Sequence, residues 1–196
     1  METYINSNEL KDIAKLGITC FALEQVPRIS RAQSMDVLSS QSNLAGYRAV
    51  IEASQIYRKA FPMMMTAAGT IPPARVLVMG AGVAGLQAIA TAKRMGAIVS
   101  ATDVRPAAKE QVESLGGKFV AVEDEEFKEA ESSGGYAKQM SAAYQKKQAE
   151  LVSKTIADQD IVITTALIPG KPAPKLISDR SEEHTSELQH NQNSYA

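Results

Sequence analysis

Apolar and polar positions divide this chain into a helical front and an alternating strand–helix back. Glu9–Leu16 has the spacing of a short helix, with Gly17 placed to end it. Ile18–Leu23 (ITCFAL) is apolar and partly β-branched, which predicts a short buried strand stopped by Pro27. Arg28–Asn43 is dense in Ser, Gln, Arg and Asp and reads as a loop. From about Asn43, the residues Leu44, Tyr47, Val50, Ile51, Ser54 and Tyr57 recur at three- and four-residue intervals. They predict a long amphipathic helix with Arg48, Glu52 and Lys59 off that face. Phe61–Ala74 contains Pro62, Gly69, Pro72 and Pro73 and is the best internal boundary. Its Met63–Met65 run reads as flexible packing between two lobes, with an adaptable binding surface as the competing reading.

Behind that boundary the period changes. Val76–Met79, Ala97–Thr102, Phe119–Val122 and Asp160–Thr164 predict four strands. Val83–Arg94, with Leu86, Ile89 and Ala90 on one face, predicts a helix, as does Ala107–Leu115 before Gly116-Gly117. Strands alternating with helices imply a parallel sheet with right-handed crossovers, hence an α/β class.

Composition narrows the chemistry. Of 196 residues, 44% are hydrophobic and 22% charged, the balance of a soluble globular chain. A net charge of -1 gives no basic field for nucleic acid. Cys20 is the one cysteine, which excludes a disulfide framework and a multi-cysteine metal site; no metal is expected. No apolar run reaches the ~18 residues of a membrane helix. Glu2, Glu9, Lys11 and Asp12 leave no signal-peptide core at the N-terminus. The segment Asp179–Ala196 holds only Leu188, Tyr195 and Ala196 as hydrophobic residues, too few to offset ordering entropy. Its RSEEHTSELQ run resembles a translated sequencing adapter, and we set it aside as a non-native tail. That step removes one basic and four acidic residues from totals of 21 and 22, so the net charge moves from -1 to +2. It also removes His184 and His190, and with them any histidine triad or histidine-ligated zinc.

Three stretches carry chemistry. Val76–Met79 runs into Gly80-Ala81-Gly82-Val83-Ala84-Gly85, a G-x-G-x-x-G between a strand and a helix. Asp103 ends the next strand, as a dinucleotide-binding βαβ unit requires. Gly80 permits the tight turn, Gly82 lets backbone N–H groups approach a pyrophosphate, and Gly85 lets helix and strand pack closely. The helix N-terminus adds partial positive charge. Asp103 is suited to accept from the adenosine ribose hydroxyls and to repel a 2′-phosphate, favouring NAD(H); Arg105, two residues on, weakens that preference. Thr164–Gly170 leaves the fourth strand at its carboxyl end and is expected to face the same cleft. The polar stretch PRISRAQSMDVLSS offers Gln33 and Ser39 as partners for a nicotinamide ribose or carboxamide, and an Arg–Asp pair to stiffen the loop. A solvated loop is the competing reading. Beyond Asp36 the loop has no proton-relay group, and hydride transfer between two nicotinamides needs none.

Together PRISRAQSMDVLSSQSNLAGYRAV, MMMTAAGTIPPARVLVMGAGVAGLQAIATAKRMGA, ATDVRP, GGYAKQMS and TALIPGKPAP resemble the NAD(H)-binding domain of the proton-translocating NAD(P) transhydrogenase alpha subunit, over Leu10–Ser178. The resemblance implies a Rossmann-like doubly wound parallel sheet plus part of a second Rossmann-like lobe. It divides the chain into a partial first lobe (1–60), an NAD(H)-binding lobe (61–178) and the tail (179–196). It places Arg28, Gln33, Asp36 and Ser39 at the nicotinamide end of NAD(H). Gly80, Gly82, Val83, Gly85, Asp103, Val104 and Arg105 would hold pyrophosphate and adenosine ribose, and Thr165, Ala166 and Leu167 would line the cleft. Gly134–Met140, with Tyr136, matches a loop that closes over nucleotide; Glu123–Glu126 beside it reads as a solvated face. The resemblance further implies NADP(H) on a partner domain, a beta subunit carrying that domain and the membrane part, and a homodimer of alpha domains. It places the chain peripherally at the cytoplasmic face of the bacterial inner membrane. The matching stretch lacks the family's beginning and end, so the chain alone is expected to be inactive in the coupled reaction. An alanine dehydrogenase, which needs a catalytic histidine and lysine in the first lobe, and a non-catalytic NAD(H) module are the alternatives.

Overall fold

The computed structural model describes residues 7–27, 29–122, 127, 141–166, 173, 176 and 177. In chain order it contains α1 (Ser7–Lys15), α2 (Val37–Ile56), β1 (Met64–Thr66), β2 (Gly69–Ile71), β3 (Arg75–Met79) and α3 (Val83–Arg94). Then come β4 (Ile98–Thr102), α4 (Ala108–Ser114), β5 (Lys118–Phe119), α5 (Ala142–Ala157) and β6 (Ile161–Thr164).

The sheet of β3 to β6 is parallel, in the order β5-β4-β3-β6. Successive side chains of β3 point to opposite faces, and both faces are covered. Val76 and Val78 pack with Val50, Ile89, Ala92 and Val112 from α2, α3 and α4. Leu77 and Met79 pack with Val152 and Ile156 of α5. Helices on both faces of a parallel sheet bear out the α/β class that the strand–helix alternation predicts and the doubly wound Rossmann-like layer that the resemblance implies.

Four expectations are corrected. Ile18–Leu23 is not a buried strand: Phe21 is 85% exposed, and the segment leads into a 3-10 turn over Leu23–Gln25. No described strand pairs with it, and an extended segment without a partner leaves its backbone polar groups to solvent. The polar loop ends early, because a 3-10 turn over Ser30–Met35 feeds α2 at Val37, well before Asn43. The buried stripe of α2 runs through Gly46 and Val50, while Leu44 and Tyr47 are exposed. The boundary segment Phe61–Ala74 holds a β1–β2 hairpin, with Met63, Met64 and Met65 exposed rather than packed. Its ends close on each other, as Ala74 N–H donates to the Phe61 carbonyl at 3.0 Å.

Candidate functional site

In the β5-β4-β3-β6 order the chain adds β4 and β5 on one side of β3 and then crosses to add β6 on the other, so the strand order reverses between β3 and β6. A crevice forms at such a switch point, outside the carboxyl ends of the strands. The end of β3 is the glycine turn, and the end of β6 is Thr165-Ala166.

Each glycine of the turn has a separate role. Gly80 adopts φ +103, a left-handed conformation that favours glycine. Its N–H donates to the Thr102 carbonyl at 2.8 Å and extends the β3–β4 ladder. A Cβ on Gly85 would overlap the Gly80 carbonyl and reach within 2.9 Å of Thr165 Oγ1, so helix and turn meet with no room for a side chain. Gly82 is the N-cap of α3, and a Cβ there would meet nothing within 4 Å. Among the described residues no side chain is hydrogen-bonded to the first amides of α3, which lie beside open space at Gly82 and suit an anion. Val83 opens the helix and is partly exposed.

Thr165 joins the two strand ends. Its N–H donates to the Met79 carbonyl at 2.9 Å, and its Oγ1 donates to the Gly80 carbonyl at 2.8 Å. A Cβ on Gly80 would come within 3.0 Å of the Ala166 nitrogen, so Ala166 lies on the turn as well.

Asp103 follows β4. Its side chain is 7% exposed. Oδ2 accepts from the Ala81 N–H at 2.7 Å, and Oδ1 accepts from the Arg105 N–H at 2.9 Å. The Arg105 guanidinium forks onto both oxygens, with Nε at 2.9 Å and Nη2 at 3.1 Å. Burial pushes the Asp103 carboxyl up; the Arg105 guanidinium and then the two backbone N–H groups pull it further down, so it sits below its ordinary value. The same contact raises Arg105. Val104, between them, is exposed.

The polar loop forms a separate cluster at the start of α2. Asp36 is the N-cap and accepts from the Ser39 N–H at 2.9 Å and from Ser39 Oγ at 2.6 Å. Gln33 is exposed in the preceding 3-10 turn. Arg28, Tyr136 and Leu167 lie outside the described residues, as do Glu123–Glu126 and Gly134–Met140.

Three contributors escape a reading of the sequence. Ala81 supplies an N–H to Asp103 and a carbonyl to Arg105, and a backbone role leaves no side-chain signal. Gln148 of α5 donates to Thr102 Oγ1 at 3.1 Å and accepts from the Val122 N–H at 2.8 Å, bracing the strand end that carries Asp103. Gly46 faces α3 so closely that a Cβ would overlap the Ala84 carbonyl. A glycine inside a helical pattern is itself a sign of close approach. A cavity of about 360 Å³ beside Tyr57, Met64, Pro72 and Asp160 opens at the amino ends of β3 and β6, away from the switch point. Among the described residues no helix is long and apolar enough to cross a membrane.

Two family models match the chain. The alanine dehydrogenase/PNT N-terminal domain covers residues 1–45, and the alanine dehydrogenase/PNT C-terminal domain covers residues 49–186.

The chain belongs to the alanine dehydrogenase/PNT family.

Within that family it is similar to an NAD(P) transhydrogenase subunit alpha of Rhodospirillum rubrum, 67% identical over 174 residues, or 89% of this chain and 45% of that protein. The same-named subunit of Rickettsia prowazekii is 60% identical over 183 residues, or 93% and 47%. The crystal structure of transhydrogenase from Sinorhizobium meliloti superposes with a TM-score of 0.83 at 60% identity, over 94% of this chain and 48% of that one. This family member thus spans about half the length of those relatives. Alanine dehydrogenases of Halomonas elongata and Mycobacterium tuberculosis stand further off, at 26% and 29% identity. The transhydrogenase resemblance carried by RAQSMD and ATDVRP therefore agrees with the nearer relatives.

Proposed function

We propose that this chain is the NAD(H)-binding part of an NAD(P) transhydrogenase, which passes hydride between NADH and NADP⁺ and couples the transfer to proton translocation. The observation that carries the reading is the switch point itself. A glycine turn, an uncapped helix N-terminus and a buried, ionised carboxylate meet there, which suits a pyrophosphate and a ribose. The nearer relatives carry the name NAD(P) transhydrogenase subunit alpha, which supports the same reading.

Gly80, Gly82, Val83 and Gly85 would hold the pyrophosphate. Asp103 and Val104 would hold the adenosine ribose beside Arg105, and Thr165, Ala166 and Leu167 would line the cleft. Arg28, Gln33, Asp36 and Ser39 would orient the nicotinamide end, with Tyr136 on the closing segment. When bound, NAD(H) supplies the hydride through its nicotinamide ring. The chain's own part is positioning and exclusion of water, which donor and acceptor nicotinamides require in place of a proton relay. Asp36 supports this by holding Ser39 and the first turn of α2 in one arrangement.

In this reading residues 1–60 are a partial first lobe, 61–178 the NAD(H)-binding lobe and 179–196 a non-native tail. NADP(H) binds on a partner domain of a beta subunit. Two alpha domains associate as a homodimer at the cytoplasmic face of the bacterial inner membrane, and the chain alone gives no coupled turnover. The test is to mix the intact subunit containing this chain with its NADP(H)-binding partner and follow NADH-dependent reduction of an NADP⁺ analogue. Tight NADH binding without transfer would overturn the enzyme reading in favour of a binding module. Turnover of pyruvate and ammonium would overturn it in favour of an alanine dehydrogenase.

A further inference from the structure

The Asp103 carboxylate has its acceptor positions filled. A carboxylate offers about four lone-pair sites. At Asp103 they take the Ala81 N–H, the Arg105 N–H, Arg105 Nε and Arg105 Nη2. The first two are backbone donors built into the turns that follow β3 and β4. The last two belong to a single guanidinium, whose Nη2 also reaches the Ala81 carbonyl at 3.2 Å. Asp103 is 7% exposed and Arg105 37%, so the carboxylate is sealed at its base while the guanidinium on top reaches solvent.

We propose that Arg105 is a displaceable stopper in the ribose seat: a vicinal diol engages Asp103 only as the guanidinium swings out, and this exchange sets the choice between a free diol and a 2′-phosphorylated ribose. The proposal rests on the NAD(H) reading of the switch point. A diol brings two O–H donors and needs two acceptor positions on the carboxylate. The pair available without unmaking the turns is the pair the guanidinium holds. The guanidinium fork carries charge on both partners, whereas the diol's bonds carry it on the carboxylate alone, so the exchange lowers affinity for the diol. A 2′-phosphate faces the opposite balance. Its charge is repelled by Asp103, and the freed guanidinium, tethered two residues away, is placed to neutralise it. Arg105 therefore weakens NADH binding and strengthens NADPH binding, narrowing the discrimination that Asp103 alone would enforce.

The experiment uses the intact subunit containing this chain, as wild type, Arg105→Gln and Arg105→Lys, titrated calorimetrically with NADH and with NADPH. For Arg105→Gln, NADH binds about five- to tenfold tighter and NADPH about five- to tenfold weaker, the scale of one charge-assisted bond at a partly exposed site. Arg105→Lys keeps the cation without the fork, so NADH tightens while NADPH stays near wild type. A folded Arg105→Gln that binds NADH no tighter than wild type overturns the stopper alone. Should Arg105→Gln fail to fold, an Arg105→Lys that does not tighten NADH overturns it equally. Absence of NADH binding by the wild type would instead overturn the cofactor reading, and the stopper with it.

Discussion

Thr165 Oγ1 donates a 2.8 Å hydrogen bond to the Gly80 carbonyl, tying together two positions 85 residues apart in sequence. The bond spans the point where the strand order reverses and forms the floor of the crevice. Thr165→Val removes the donor and leaves a half-buried carbonyl unpaired. We expect a loss of about 1 kcal/mol in unfolding free energy, with NADH binding weakened several-fold. Urea unfolding and NADH titration would measure both, and an unchanged pair of values would show the bond to be incidental.

Gly82 and Gly85 should separate binding from folding. A Cβ at Gly82 enters open space at ordinary φ, so Gly82→Ala should cost under about 1 kcal/mol of stability while obstructing the approach of a phosphate. A Cβ at Gly85 overlaps the Gly80 carbonyl, so Gly85→Ala should destabilise by about 1–3 kcal/mol as an overpacked core contact. Thermal melting and NADH affinity measured side by side distinguish the two. Equal melting temperatures would refute the assignment.

Asp103 makes stability depend on acid. Its folded carboxyl lies below the ordinary value of 3.8, so between the two values the unfolded chain binds more protons. The stabilisation is complete above the unfolded value and fades as pH falls through the folded one. The stability gap between wild type and Asp103→Asn should therefore be widest near neutrality and close in strong acid. Denaturation of both proteins across that range is the measurement, and a gap constant with pH would contradict it.

Gln33→Asn should slow hydride transfer more than it weakens NADH binding. On the proposed reading the shortened amide would act at the nicotinamide end, far along the dinucleotide from the adenosine anchor. Single-turnover rates set against NADH affinities test this, and lost affinity at an unchanged rate would count against the role.

The strand–helix half of the fold is legible in the sequence because period, caps and turns agree there. Val83–Arg94 has the bounds its pattern predicts, between a glycine N-cap and Gly96 in the left-handed region. The front half resists because its signals conflict. The first turns of α2 carry Ser39, Ser40, Gln41 and Ser42, a loop-like composition, yet the Asp36 cap starts the helix there. Its buried stripe uses Gly46 and Val50, so the larger Leu44 and Tyr47 point to the wrong face. α5 leaves little signal, since Tyr144, Val152 and Ile156 are its few buried residues among lysines, glutamines and alanines. The site follows the same division. The glycines and Asp103 announce themselves by spacing, whereas Ala81 acts through its backbone and Gln148 through a contact 46 residues away.

The contact of Gly46 with the Ala84 backbone makes α2 a calliper. Asp36 and Ser39 sit at one end of a rigid rod, and the rod is pinned ten residues later to the first turn of α3, where the glycine turn begins. Ten residues of α-helix measure about 15 Å, and each residue added or removed rotates everything beyond it by about 100°. One inserted residue between Asp36 and Gly46 would leave the helix intact and swing the polar cluster to another side. Along this stretch of α2 the length of the helix is therefore a fixed measure of the distance between the polar cluster and the glycine turn.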